Sequence, residues 1–75
     1  MEIVEYLARR LVDDPDAVRV QQVERDGDRI IELHVAKDDV GKVIGRQGRI
    51  ARALRSVVRA SAARREQRVL LEIVE

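Results

Sequence analysis

Val43-Ile44-Gly45-Arg46-Gln47-Gly48-Arg49-Ile50 places two glycines on either side of two polar residues, with an apolar pair before them and an apolar residue after. Helix-forming sequence lies on both sides, so the stretch predicts a tight, open turn between two helices. A glycine can take φ > 0 and, having no Cβ, lets another molecule approach the backbone. The turn feeds directly into a helix N-terminus, where unpaired N–H groups and the positive end of the dipole favour an anion. Lys42, Arg46 and Arg49 stand close by. The physical reading is a phosphate clamp.

Charge supports that reading. The segment Val40 to Arg65 holds eight basic residues, Lys42, Arg46, Arg49, Arg52, Arg55, Arg59, Arg64 and Arg65, and no Asp or Glu. All 14 acidic residues and the other seven basic ones lie outside it, so a formal net charge of +1 hides a strongly dipolar layout. Such a layout points to a polyanionic partner.

Working outward, Asp38 or Asp39 can cap a short helix that starts near Val40 and ends at Gly45. A second helix is expected from about Gly48 to Arg65. Its apolar stripe would be Ile50, Leu54, Val57, Val58 and Ser61, with Arg49, Arg52, Arg55 and Arg59 as a separate stripe at spacings of three and four. Upstream, Val18 to Arg25 and Asp28 to Val35 read as a hairpin around Asp26-Gly27, a strong signal for a two-residue I′ turn. The register then opposes Val18 to Val35, Val20 to Leu33 and Val23 to Ile30. Glu2 to Val12 reads as an amphipathic helix on Ile3, Leu7 and Leu11, with Val4 and Ala8 beside them, stopped by Asp13-Asp14-Pro15-Asp16. Arg68 to Glu75 alternates as a last strand, with Val69, Leu71 and Ile73 on one face.

The order is therefore α-β-β-α-α-β, an α+β fold occupying residues 1–75 as one small domain. The helical crossover makes the last strand parallel to its neighbour, and the helices should cover one face of a three-stranded mixed sheet. Val23, Ile30, Leu70 and Val74 fall on the uncovered face, which is apolar enough to suggest burial against a partner such as a second copy.

Several chemistries find no support. Without cysteine there is no disulfide, thiolate zinc site or cysteine nucleophile. His34 has no carboxylate or second ligand at a recognisable spacing and reads as a surface strand residue. Ser56 and Ser61 read as mid-helix packing residues, and Tyr6, the one aromatic, as part of a helix flank. No catalytic set, metal site or cofactor is expected. No stretch approaches the length of a membrane span, and Met1 to Glu5 lacks the pattern of a signal peptide, so a cytoplasmic protein is expected.

Val-Ile-Gly-Arg-Gln-Gly-Arg-Ile followed by an amphipathic helix resembles the Gly-x-x-Gly signature of the KH domain, and the element order resembles its type II, prokaryotic arrangement. Over essentially the whole chain the resemblance is to small bacterial RNA-binding proteins that consist of a single KH domain. It implies a groove for about four nucleotides of single-stranded RNA. By position in the motif, Gly41, Lys42, Ile44 and Ala51 would form the helical wall under the bases. Gly45, Arg46, Gln47 and Gly48 would hold the sugar-phosphate backbone, with Arg46, Gln47 and Gly48 offering N–H groups and Arg46, Arg49 and Arg52 adding charge. In many KH domains a longer loop opposite the turn completes the groove. Here that connection reads as Asp26-Gly27 alone, which implies a thin second wall and weak, loosely specific binding. The resemblance further implies a homodimer, a second KH-containing protein partner, and roles in RNA chaperoning, post-transcriptional regulation and control of cell elongation. The alternative is a protein-interaction module that keeps the fold with little direct RNA binding.

Overall fold

A computed structural model describes residues 2–63 and 68–74. Helix α1 spans Glu2–Leu11, strands β1 and β2 span Arg19–Arg25 and Asp28–His34, helices α2 and α3 span Val40–Ile44 and Arg49–Ala63, and strand β3 spans Val69–Val74. The order α-β-β-α-α-β is the one expected. The expected extension of α3 to Arg65 and the end of the last strand at Glu75 lie outside the described residues.

The acidic first turn and basic last turn of α1 complement its dipole, and Arg9 pairs with Glu5 one turn away at 2.9 Å. Pro15 ends the connection and opens a single 3₁₀ turn, Pro15–Ala17, before β1. Asp26 and Gly27 both take positive φ, +54° and +84°, as an I′ hairpin requires. The register follows: Val20 faces Leu33 and Val23 faces Ile30, antiparallel, while β3 pairs in parallel with β2, Ile31 beside Leu71 and Leu33 beside Ile73. The sheet order β1-β2-β3 leaves β3 at an edge.

The helices cover one face. Val4 and Ala8 of α1, Val43 of α2, and Leu54 and Val58 of α3 meet Val18, Ile31, Leu33 and Leu71 in one aliphatic core. In both long helices the stripe is rotated from the expected one. Ile3 and Leu11 are exposed while Val4 and Ala8 are fully buried. In α3, Ala51 and Ala62 are buried and Ser61 is exposed. Closest approach is made by small side chains, and larger aliphatics fill the flanks. Ser56 is likewise exposed, its hydroxyl donating to the Arg52 carbonyl at 3.0 Å. Tyr6 is exposed beneath the Arg10 guanidinium, 5.6 Å from its ring centroid.

The other sheet face is open, with Val23, Ile30 and Leu70 forming a row across all three strands. Ile30 is nonetheless only 7% exposed, whereas Leu70 is 43% exposed. Arg25 accounts for the difference: from the row beyond, its guanidinium reaches Glu32 at 4.0 Å and Glu72 at 3.9 Å, which carries its aliphatic stem over Ile30. His34 does have a carboxylate neighbour, contrary to the sequence reading, because Glu32 lies two residues away on the same strand face with Oε1 3.4 Å from His34 Nε2. Among the described residues no group of three or more potential metal ligands forms, and no helix is long and apolar enough to cross a membrane.

Candidate nucleic-acid interface

The turn between α2 and α3 is built from three backbone conformations that most residues avoid. Gly45 ends α2 at φ +76°, ψ 174°, its N–H closing the last turn on the Gly41 carbonyl at 2.9 Å. Gln47 follows at φ +57°, ψ +23°, and Gly48 at φ +74°. The Gly48 N–H returns to the Gly45 carbonyl at 3.2 Å, and the Arg49 N–H donates to the Arg46 carbonyl. The two glycines serve different ends. A Cβ on Gly45 would lie 2.7 Å from Ile50 Cγ1 and 2.9 Å from Ile50 Cβ, whereas one on Gly48 would meet nothing within 4 Å. Ile50 therefore packs directly onto Gly45, and through its contact with the core it ties the turn to the body of the protein. Sequence reasoning assigned Gly45 to positive φ and to ligand approach, and missed this contact.

The side chains assigned to the site divide. Arg46, Gln47, Arg49 and Arg52 are exposed, as are Gly41 and Lys42, while Ile44 and Gly48 are half-buried. Ala51 is buried, so its methyl belongs to the packing of α3 rather than to an open wall. Gly41 lies in α2 with no atom within 4 Å of where a Cβ would stand. Nothing in the fold requires glycine there, and in a helix it is about 1 kcal/mol worse than alanine.

Lys42 is engaged elsewhere. Its Nζ donates to Asp13 and, at 3.1 Å, to Asp39 Oδ1. Asp39 is 2% exposed, and its second oxygen accepts the Asp14 N–H at 3.0 Å. Asp39 holds the N-cap position of α2 but makes no side-chain cap bond, since its carboxylate spans back to the end of the α1 connection. Burial alone would raise the Asp39 carboxyl, but the hydrogen bonds from Lys42 and from the backbone of Asp14 and Asp13 outweigh it and hold the group below its ordinary value. Hydrogen bonds to Asp13 and Asp39 raise Lys42 above the usual lysine value, against a smaller opposing effect of burial. The three side chains form a clasp that fixes α2, and so the entry to the turn, against the segment before β1. Nothing in local spacing announces a bond that spans 25 positions.

The clasp also fixes where the turn lies. It joins α2 to the segment that leads into β1, and α2 itself follows the end of β2 after five residues, at the end of the sheet where Arg19 faces His34. For β3 to run parallel to β2, the crossover must return to the hairpin end, and α3 makes that return over 15 residues, about 22 Å. Gly45–Gly48 and Asp26-Gly27 thus lie at opposite ends, and the acidic hairpin turn is not the opposing wall of a groove at Gly45–Gly48.

Among the described residues, Arg46, Arg49, Arg52, Arg55 and Arg59 join no ion pair, whereas Arg9, Arg25, Arg29 and Arg68 each reach a carboxylate. The four α3 arginines do not act as one stripe. Arg49 borders an apolar groove between α1 and α3, formed by Leu7, Leu11, Ile50, Ala53 and Val57. Arg52, Arg55 and Arg59 lie on the opposite flank.

Comparison with known proteins is consistent across the chain. The family described as "KhpA/KhpB, KH domain" matches residues 1–73. RNA-binding protein KhpA of Caldanaerobacter subterraneus subsp. tengcongensis is 51% identical over 73 residues, covering 97% of each chain. RNA-binding protein KhpA of Halalkalibacterium halodurans is 52% identical over 73 residues, covering 97% of this chain and 96% of the relative. The protein of the same name from Aquifex aeolicus is 50% identical over 74 residues, covering 99% and 94%. These relatives are named as RNA-binding proteins, not as enzymes. No solved structure matches the chain significantly.

Proposed function

The chain belongs to the KhpA/KhpB KH-domain family, and on that premise we propose that it binds single-stranded RNA and uses the Gly45–Gly48 turn to clamp the sugar-phosphate backbone of about four nucleotides. The observation that carries the reading is the turn itself. It holds Arg46 and Gln47 out in solvent, with a left-handed Gln47 and Gly48 turning the chain into a helix that contains no acidic residue. The Gly48 N–H is already donated within the turn, so the backbone donors for a phosphate are those of Arg46 and Gln47, which close no turn bond. The Arg46 guanidinium adds a bidentate, charge-assisted contact. Gly41 leaves room for a flat base on α2, and half-buried Ile44 supplies an apolar contact beneath it. Lys42 supports this surface by holding α2 in place, and Arg49 and Arg52 add field rather than fixed contacts. An RNA ligand places the work of the protein in the cytoplasm, as a chaperone or post-transcriptional regulator.

The test is binding of a short unstructured RNA to the wild type and to Arg46→Asp/Gln47→Asp across a salt series. Aspartate tolerates the left-handed conformation better than most residues, so the variant should keep its fold. The wild type should bind with a steep salt dependence and the variant should not bind. Equal binding by the two would refute the clamp.

A second reading, a KH-fold protein-interaction module, draws on the open sheet face, where Leu70 is 43% exposed and Val23, two strands away, is half-buried. That face suits a homodimer or a second KH-containing protein, and occupying it leaves the turn free for RNA. A complex that survives high salt and is broken by Leu70→Arg would support it.

A further inference from the structure

Resting on the RNA reading, we infer that Asp39 and Asp13 are positioning residues of the clamp. Acting through Lys42, they hold α2 where the turn needs it, so a protein that binds a polyanion depends on two of its own carboxylates.

Helix α2 cannot place itself. It has five residues, Val40–Ile44, and a helix of that length has no stability of its own. Gly41 weakens it further, and Asp39 at its N-cap makes no side-chain cap bond. Only Val43 is buried. One apolar anchor leaves a short helix free to pivot, and the clasp supplies the second. Lys42 donates to Asp13 and to Asp39 Oδ1, while Asp39 Oδ2 accepts the Asp14 N–H. The turn inherits the result, because the Gly45 N–H closes on the Gly41 carbonyl and Arg46 and Gln47 follow directly. Ile50 fixes the far side of the turn against Gly45, and the clasp fixes the near side.

The same geometry removes Lys42 from the phosphate contacts. Asp39 is the one buried charged side chain among the described residues. A buried carboxylate is tolerated only while it is paired and hydrogen-bonded. A phosphate that drew the ammonium away would strand it. The lowered Asp39 carboxyl and the raised Lys42 ammonium agree, each holding the other in its charged form.

Field and position then predict opposite signs. Both carboxylates repel a phosphate strand, so by charge alone neutralising either one strengthens binding. Through the clasp, neutralising Asp39 frees α2 and weakens binding. With α2 in its bound position in about one molecule in ten, the apparent affinity falls about tenfold.

The experiment titrates a four-nucleotide oligouridylate across a salt series, at a temperature where urea curves show the proteins fully folded. The variants are Asp39→Asn, Asp13→Asn, Lys42→Met, Asp39→Asn/Lys42→Met, Val58→Ala and Arg46→Asp/Gln47→Asp. The double variant Asp39→Asn/Lys42→Met leaves no buried charge unpaired, so it carries the test where Lys42→Met does not fold. Asp39→Asn should lose about tenfold in affinity and keep the wild-type salt slope. The double variant should lose no more than that, because both changes open one clasp. Asp13→Asn should weaken binding by less, since Lys42 keeps Asp39. Val58→Ala, a core change in the far half of α3, should bind as the wild type does. Binding by Asp39→Asn as tight as the wild type, or tighter, would overturn the inference. So would an equal loss in Val58→Ala, which would mark the effect as destabilisation alone. A salt slope reduced by about 0.7 in Lys42→Met would also overturn it, by making Lys42 a phosphate ligand. Failure of the clamp is separately visible, as Arg46→Asp/Gln47→Asp binding like the wild type, and would overturn both readings together.

Discussion

Replacing Gly45, Gly48 and Gly41 by alanine, one at a time, should move stability in three different ways. At Gly45 the conformation φ +76°, ψ 174° belongs to a region populated almost only by glycine, which costs another residue about 1–3 kcal/mol. The new Cβ would also stand 2.7 Å from Ile50 Cγ1, with the Ile50 Cβ itself at 2.9 Å, so rotating the side chain does not relieve the clash. Overpacking of this kind costs about 1–3 kcal/mol more. Offsetting about 0.4–1 kcal/mol from the stiffer unfolded chain, Gly45→Ala should lose on the order of 2–5 kcal/mol. That is a large share of the roughly 4–11 kcal/mol available to a chain of this length. At Gly48, φ is +74° with open space around it, so only the left-handed penalty applies and the net loss should be about 1 kcal/mol. At Gly41 the backbone is helical and the space empty, so alanine should stabilise by about 0.5–1 kcal/mol. Urea denaturation with matched slopes measures all three. Equal losses at Gly45 and Gly48 would refute the packing of Ile50 onto Gly45. Destabilisation by Gly41→Ala would refute the claim that the fold makes no use of that glycine. A Gly41→Ala protein that is more stable yet binds RNA less well is the outcome the groove requires.

Other outcomes follow from the core and the clasp. Leu54→Ala should cost about 2–5 kcal/mol, because Leu54 is 3% exposed at the centre of the aliphatic cluster; a loss under about half a kcal/mol in the same urea assay would contradict that packing. The lowered Asp39 carboxyl contributes stability that is present above the unfolded-state value near 4 and lost as pH falls through the lower folded one. The difference in stability between wild type and Asp39→Asn should therefore shrink on acidification below pH ~4; a pH-independent difference would show that the carboxylate's charge is irrelevant. Raised Lys42 works at the other end: its contribution is full below the unfolded value near 10.4 and fades as pH rises through the folded one, so the deficit of Lys42→Met should narrow above pH ~10. A deficit that persists unchanged to high pH would refute the role of the ammonium.

The hairpin register, the turn between α2 and α3 and the parallel return of β3 are all legible in the sequence, because each rests on local chemistry. Asp26-Gly27 has few turn conformations open to it, and the apolar alternation on either side admits one register. The sense of the helix faces is harder to read. Hydrophobicity ranks Ile3 and Leu11 above Ala8, and Val57 above Ala51, yet the fold buries the alanines where elements come closest and leaves the larger residues at the flanks. Size earns burial only if the neighbour is far enough away, and that distance is a property of the tertiary structure. The same holds for Lys42, whose charge pointed to phosphate until Asp13 and Asp39 were seen around it, and for Arg25, which shields Ile30 from the far end of a strand. At the candidate site the glycines and the exposed Arg46 and Gln47 were found by motif. The contact of Ile50 with Gly45, the burial of Ala51 and the division of the α3 arginines between two flanks were not, because each depends on how α3 is rotated about its own axis.

The most direct measurement of the central claim is the change in backbone amide chemical shifts when a four-nucleotide oligouridylate is titrated into the protein. The account predicts the largest changes at Gly41 and from Ile44 to Arg49, with Arg46 and Gln47 foremost, and little change at Val23, Ile30 and Glu32 on the open sheet face. Shifts concentrated on that face, with Arg46 and Gln47 unmoved, would contradict it.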